Sequence, residues 1–158
     1  MKRVTINKLT RQAGVTILEF IAFIGLAALV IAGALSLYNT ASKGNMSQEV
    51  FKTASAVATA ARQVASGTSG GGAAATAIPA PTGWAANTPN ATTVTFTKTG
   101  ATPTTTIKYT GGASVDNFDL QITADIDVMR QMSGKTIMGV ACSLSGTANV
   151  NCNNIPYN

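Results

Sequence analysis

A single glutamate, Glu19, interrupts a long apolar run near the N-terminus of this chain. The run extends from Val15 to Leu37, and Thr16 and Ser36 are its only other polar residues. A charged side chain near the start of a membrane-spanning helix costs roughly 2.5–3.5 kcal/mol on insertion scales. A nearby cation would offset that cost, so this placement predicts an ion pair. The alternative is that Glu19 reaches the lipid headgroups at the end of the helix.

Two cysteines, Cys142 and Cys152, lie close together near the C-terminus. They would remain thiols in a cytosolic protein and would pair in an exported one. Their spacing does not match the usual zinc sites, and the chain contains no histidine to complete one. A disulfide across this short loop would stabilise the fold by ~2.5–3 kcal/mol in the chain-entropy model.

No group of residues has the pattern of an active site. Without histidine, the chain lacks the base that usually activates a serine, cysteine or threonine nucleophile. Asp125 and Asp127 form half of a calcium motif at most, and they fit better as acids in the first turn of a short helix. Lys43 and Lys135 have no acid partner that the sequence reveals. The residues therefore predict no enzyme activity, no metal site and no cofactor.

The charge of the chain is concentrated at its N-terminus. The formal net charge is +5, but Lys2, Arg3, Lys8 and Arg11 lie in the first fourteen residues, which contain no acid. The remainder carries seven bases against six acids, and those bases are scattered. A phosphate-binding surface needs clustered bases, so this distribution argues against a nucleic-acid site.

The apolar run itself predicts a membrane helix over residues 15–37. Its 23 residues would extend about 35 Å as an α-helix, enough to cross a hydrocarbon core of about 30 Å. The bases in front of it favour a cytoplasmic N-terminus. The run is too long for the apolar part of a secretory signal peptide, so we expect the helix to be retained.

The junction between the basic stretch and the helix resembles the prepilin class of type IV pilins. The residues that carry the resemblance are Gly14, a hydrophobic Val15, the Thr-Ile-Leu that follows, and Glu19. The resemblance implies that a prepilin peptidase removes the leader, residues 1–14, and methylates the new amino terminus at Val15. It also implies that Glu19 pairs with the Val15 amine of a neighbouring subunit. The long leader and the valine start are similar to the type IVb group.

The helix is predicted to continue as an amphipathic segment over residues 38–66. Its apolar positions recur at the helical period, and alanine dominates them. They are Val50, Ala54, Val57, Ala58, Ala61, Val64 and Ala65. Gly25 and Gly33 are candidate points of flexibility, because helices of this family can lose regularity in the assembled fibre. The alternative for these glycines is close helix packing in the membrane.

The remaining residues, 67–158, are predicted to form a small β-rich head. A glycine-rich connection and a proline-containing irregular stretch precede it. Strands are expected over residues 92–98, 104–110, 117–123 and 136–141, with a short helix over 125–132 and a loop between the two cysteines. Phe118, Leu120 and Ile122 should point to one face and pack on the apolar stripe of the helix. The predicted class is α+β, and this order of elements also resembles the pilin fold.

The resemblance implies a structural subunit of an extracellular pilus. Its partners would be identical subunits in a helical filament, the prepilin peptidase and the inner-membrane assembly machinery. It would reside in the bacterial inner membrane before assembly and on the cell surface afterwards. Two alternatives remain open: a minor pilin or pseudopilin of a secretion or conjugation apparatus, and a monomeric membrane-anchored binding module.

Overall fold

The first element of the fold is one long helix. A computed structural model describes residues 16–112, 115–146 and 149–158. Helix α1 extends from Ile17 to Ser66, a length of 50 residues. No proline interrupts it, and most of its residues are alanine or other apolar types that the helix tolerates well. The chain divides into two compact units, one that ends at Thr40 and one that runs from Ala41 to Asn158.

In the first unit, the described residues are almost entirely helical. The helix is unbroken at both Gly25 and Gly33, and a Cβ added at either glycine would meet nothing within 4 Å. These positions are therefore open to contact from outside the chain. Whether they loosen the helix in a fibre stays a prediction.

The second unit combines the rest of α1 with an antiparallel sheet. Its other elements are a 3-10 turn Ala75–Ala77, β1 Trp84–Asn90, β2 Thr93–Lys98, β3 Thr106–Thr110, β4 Asn117–Thr123, α2 Ile126–Met132, β5 Thr136–Ile137, β6 Val140–Ala141, β7 Ser143–Ser145 and β8 Asn149–Pro156. Six strands form one sheet in the order β1-β2-β3-β4-β8-β7, and every neighbouring pair is antiparallel. β5 and β6 form a separate two-stranded ribbon.

The core lies between α1 and one face of this sheet. Alternation along β4 buries Phe118, Leu120 and Ile122, as the sequence predicted. The apolar stripe of α1 belongs to the same core, and among its predicted members Val64 alone is only partly buried. The small alanine side chains of the stripe allow the helix to approach the sheet closely. A long helix, an antiparallel sheet and a C-terminal disulfide are therefore present, and the predicted α+β class is confirmed.

Several element boundaries differ from the sequence predictions. The stretch around Trp84 was predicted to be irregular, yet it forms β1, an edge strand that contains Pro89. The predicted strand over residues 136–141 is instead the β5–β6 ribbon, because Met138 and Gly139 adopt positive φ and turn the chain. The predicted loop between the cysteines contains β7 and the first three residues of β8.

The predicted pairing of the two cysteines is confirmed. Cys142 and Cys152 form a disulfide, and their Cα atoms lie 4.3 Å apart. Both residues are buried, and the bond joins the segment before β7 to β8. The cross-link therefore lies inside the sheet, where it fixes two neighbouring segments directly opposite each other.

Candidate functional site

The carboxylate of Glu19 lies in the first turn of α1, where it caps the helix. The Thr16 backbone N–H donates to Oε2 of Glu19 over 3.0 Å, and the Thr16 hydroxyl donates to the same oxygen over 3.1 Å. In return, the Glu19 backbone N–H donates to Oγ1 of Thr16 over 3.3 Å. This reciprocal arrangement satisfies donors that a helix N-terminus leaves free, and it is a capping box.

The cap holds the charge of Glu19 in a defined place without neutralising it. The Glu19 carboxylate accepts its hydrogen bonds from the described residues at a single oxygen, Oε2. No base among those residues lies within ion-pair distance of this carboxylate. The predicted processing residues, Gly14 and Val15, lie outside the part of the chain that the structure describes, as does the basic leader.

Large apolar side chains surround the first part of the helix, both before and after Glu19 in the sequence. They are exposed on every side of the helix, and they are Ile17, Leu18, Phe20, Ile21, Phe23, Ile24, Leu26, Leu29, Val30, Ile31, Leu35 and Leu37. This segment is long and apolar enough to cross a membrane, and none of it is buried within the chain. Such a helix is compatible with a membrane anchor or with a signal sequence. In either role, the lipid bilayer would remove these side chains from water.

Charged contacts in the second unit join α1 to α2. Lys43 forms an ion pair with Asp127 and lies 3.9 Å from Oδ1 of Asp125. The hydrogen bond from Lys43 and the positive charge of Lys43 lower the pKa of Asp127, and the hydrogen bond to Asp127 raises the pKa of Lys43. The expectation that Lys43 has no acid partner was therefore wrong. The two residues are 84 positions apart, which local patterns cannot reveal.

The placement of Asp125 and Asp127 at the start of α2 is confirmed. Asp125 is the N-cap residue, and its Oδ1 accepts a hydrogen bond from the Asp127 backbone N–H over 2.9 Å. Acids in this position stabilise the helix through its dipole. The described residues contain no cluster of three or more side chains suited to hold a metal ion.

Three further contacts fasten the amphipathic part of α1 to the head. Glu49 pairs with Lys98 of β2 over 2.5 Å. The Arg62 guanidinium donates from Nε to the carbonyl of Pro156 over 2.9 Å. Lys135 lies 5.1 Å above the ring of Phe51, so this base also has a setting that the sequence did not reveal.

A pair of buried tyrosines connects the segment after α1 to the C-terminus of the described chain. The buried Tyr109 hydroxyl donates to the carbonyl of Ala73 over 2.7 Å and is hydrogen-bonded to the hydroxyl of Tyr157. Burial raises the pKa of Tyr109, and the hydrogen bond with Tyr157 raises it further. Gly111 must be a glycine, because an added Cβ would lie 2.7 Å from Cζ of Tyr109. These bonds tie the glycine-rich connection after α1 to the end of β8.

The chain was compared with models of protein families, with curated proteins and with solved structures, and none of the three comparisons found a match. Two features of the described residues stand out: a helix surface that is apolar on all sides, and a carboxylate at its beginning that forms no ion pair with any described base.

Proposed function

We propose that this chain is the structural subunit of an extracellular type IV pilus, with a fold of the pilin type. The observation that supports this function best is the exposed apolar surface of α1, with the carboxylate of Glu19 in its first turn. A lipid bilayer would cover that surface before assembly, and the helices of identical subunits would cover it in the filament.

The charge of Glu19 explains how neighbouring helices would find their register. Removal of residues 1–14 by a prepilin peptidase would leave a cationic amine at Val15. In a dry helix bundle, that amine and the Glu19 carboxylate of a neighbour attract each other strongly. Leaving either charge unpaired in such a bundle costs on the order of 3–5 kcal/mol. The cap supports this role because it holds the carboxylate at one position on the helix.

The second unit suits a head on the outside of such a fibre. A disulfide persists in an oxidising compartment, so the Cys142–Cys152 bond agrees with export of this unit. The subunit would wait in the inner membrane, and the assembly machinery there would add it to the filament. The heads would then form the surface of the pilus.

Mass spectrometry of the protein purified from its natural host tests the processing step. We expect the mature chain to begin at a methylated Val15. A chain that begins at Met1 would remove the basis of this proposal, because no amine would then lie beside Glu19.

Two matched variants separate pairing of Glu19 from simple capping. Glu19→Gln keeps a side chain that can cap the helix but removes the charge. Thr16→Ala removes the capping partner and keeps the carboxylate. If Glu19 pairs with an amine, Glu19→Gln should insert into the membrane normally and lose filaments, whereas Thr16→Ala should retain them. Filaments at wild-type yield from Glu19→Gln would contradict the pairing.

The capping box also favours a second candidate, a membrane-anchored binding module that stays monomeric. In that molecule the cap alone would account for Glu19, and no partner charge would be needed. Electron microscopy of material sheared from cells distinguishes the candidates. Abundant fibres made of this chain would identify a major pilin, whereas its presence at a few copies per fibre would identify a minor pilin or pseudopilin.

A further inference from the structure

Both edges of the six-stranded sheet are free within the described residues. β1 pairs with β2 alone, and β7 pairs with β8 alone. A free edge presents backbone N–H and C=O groups that can pair with another strand. Natural proteins protect such edges with charged residues, prolines, bulges or short strands. Neither β1 nor β7 contains a charged residue; Pro89 and a register shift between Asn87 and Asn90 limit pairing to the first part of β1, and the three residues of β7 limit it to a short contact.

The backbone of Ala86 is directed outward at the first edge. The Thr99 N–H donates to the carbonyl of Gly83 over 3.1 Å, so these two residues form a hydrogen-bonded pair of the β1–β2 ladder. Hydrogen-bonded and non-hydrogen-bonded pairs alternate along an antiparallel ladder. Ala86 lies three positions after Gly83, so its pair is not hydrogen-bonded, and its N–H and C=O are directed away from β2. Its side chain lies on the core face of the sheet, because its cross-strand partner is the buried Phe96.

Leu144 has the same orientation at the second edge. Cys142 bonds through its N–H to Lys135 and through its C=O to Gly134, so its backbone faces away from β8. Two residues later, the backbone groups of Leu144 face the same way. Its side chain is on the core face, opposite the buried Val150, yet 39% of it is exposed. Outside α1, few large apolar residues of the described chain are as exposed as this one.

The directions of the two edge strands fit each other in a head-to-tail arrangement. Five successive antiparallel pairings separate β1 from β7, so these strands run in opposite directions. When two copies lie side by side in the same orientation, β7 of one therefore meets β1 of the next as an antiparallel partner. A contact between two different surfaces of this kind can repeat without limit, as a filament requires.

We infer that the heads of neighbouring copies join by pairing β7 of one with β1 of the next, with Leu144 opposite Ala86. The pairing would form two backbone hydrogen bonds, and it would bury Leu144 against a side chain small enough to fit beside it. This inference deepens the proposed function and rests on it, since side-by-side copies in one orientation are a property of the filament.

Hydrogen exchange on wild-type filaments tests the inference without any substitution. Exchange is compared between filaments and the detergent-solubilised chain, in peptides that cover residues 84–90 and 143–146. We expect both peptides to exchange more slowly in filaments, on the order of tenfold or more, because the free amides become paired. The central strand β3 is the control and should be protected equally in both states. Unchanged exchange at either edge overturns the inference.

Cysteine variants test the partner and the register. Oxidised filaments of the double variant Ala86→Cys with Leu144→Cys should give a ladder of covalent multimers, with the new bond mapped by mass spectrometry. The matched control is Ala85→Cys with Leu144→Cys, which places the two thiols on opposite faces and should give no ladder. Dimers from either single variant would overturn the inference in favour of two-fold pairing of like edges.

The two proposals fail in different ways. Normal filaments without edge protection and without the ladder overturn the edge pairing and leave the pilus subunit intact. A wild-type chain that forms no filaments overturns both. If the cysteine variants do not assemble, hydrogen exchange on wild-type filaments decides alone.

Discussion

The two halves of helix α1 have the same backbone and opposite surroundings. Between Ile17 and Leu37, large apolar side chains are exposed on every side of the helix. From Val50 to Ala65, the residues of the apolar stripe are valines and alanines, and all of them except Val64 are buried in the core of the second unit. The first half therefore has an apolar surface that the described residues leave exposed, whereas the apolar stripe of the second half is covered by the sheet.

This difference separates two causes of apolar composition in a single helix. The periodic stripe of the second half follows from packing on the sheet along one side of the helix, and polar residues occupy the exposed side. The first half has no such period, which is the pattern of a helix that a bilayer or a bundle of helices would surround equally. Glu19 is the charged exception within the first half, and the proposed function depends on it.

Aspartate substitutions at two matched valines, one in each half of the helix, should have the largest effects. Val57 is 1% exposed and Val30 is 64% exposed. Val57→Asp buries an unpaired charge and should destabilise the head by more than about 4 kcal/mol, while the helix still enters membranes. Val30→Asp should leave the head folded but oppose insertion by about 2.5–3.5 kcal/mol.

Membrane fractionation measures insertion, and fluorescence of the single tryptophan, Trp84, measures folding of the head. Trp84 is buried, so its emission responds when the core opens. If the head of the Val30→Asp variant unfolds, the stability of the head depends on the first half of the helix, contrary to our expectation.

A smaller effect is expected from removing one hydroxyl in each unit. Tyr109→Phe leaves the carbonyl of Ala73 and the hydroxyl of Tyr157 without a buried partner, and should lower the free energy of unfolding by about 1–3 kcal/mol. Tyr38→Phe is the matched control. Tyr38 is 72% exposed, so removal of its hydroxyl should change the free energy of unfolding by less than about 0.5 kcal/mol. Urea denaturation in detergent gives both values, and equal losses would contradict the assignment of Tyr109 to the core.

The smallest expected effect is a dependence on pH that belongs to the second unit. Because the pKa of Asp127 is lowered by its hydrogen bond with Lys43, the pair contributes fully above the ordinary value of 3.8 and is lost as pH falls through the lowered pKa. Because the pKa of Lys43 is raised, the contribution also declines when pH rises above the ordinary value of 10.5 and through the raised pKa.

Thermal denaturation at neutral and acidic pH should detect this dependence. Lys43→Met should reduce the loss of stability between about pH 6 and about pH 3, and Lys52→Met, on the exposed side of the same helix, should not. The same acid sensitivity in both variants would assign it to other carboxylates.

Local patterns predicted the elements with strong periodicity. The stripe of α1 and the alternation in β2, β3 and β4 each require only a few neighbouring residues to be recognised, and all of them are present. The acids at the start of α2 were also readable, because a capping residue precedes its helix directly. The contacts of Glu19 are also local, because Thr16 is only three residues away, although the capping role of Thr16 was not predicted.

Elements that depend on distant partners were not predictable. β1 has the sequence Trp-Ala-Ala-Asn-Thr-Pro-Asn, and β8 is rich in asparagine, so neither has the composition of a strand. They form because β2 and β4 supply hydrogen-bonding edges beside them. The ion pair of Lys43 was missed for the same reason, since only the folded chain brings Asp127 near it.

The position of β8 in the sheet sets the order in which the protein matures. This strand is the last in the described chain, yet it lies inside the sheet, between β4 and β7. It also carries Cys152, so neither the six-stranded sheet nor its cross-link is complete until this last strand is in place. In the proposed pilus subunit, the helix would therefore enter the membrane before the head can close, and completion of the head would depend on export of the whole described chain.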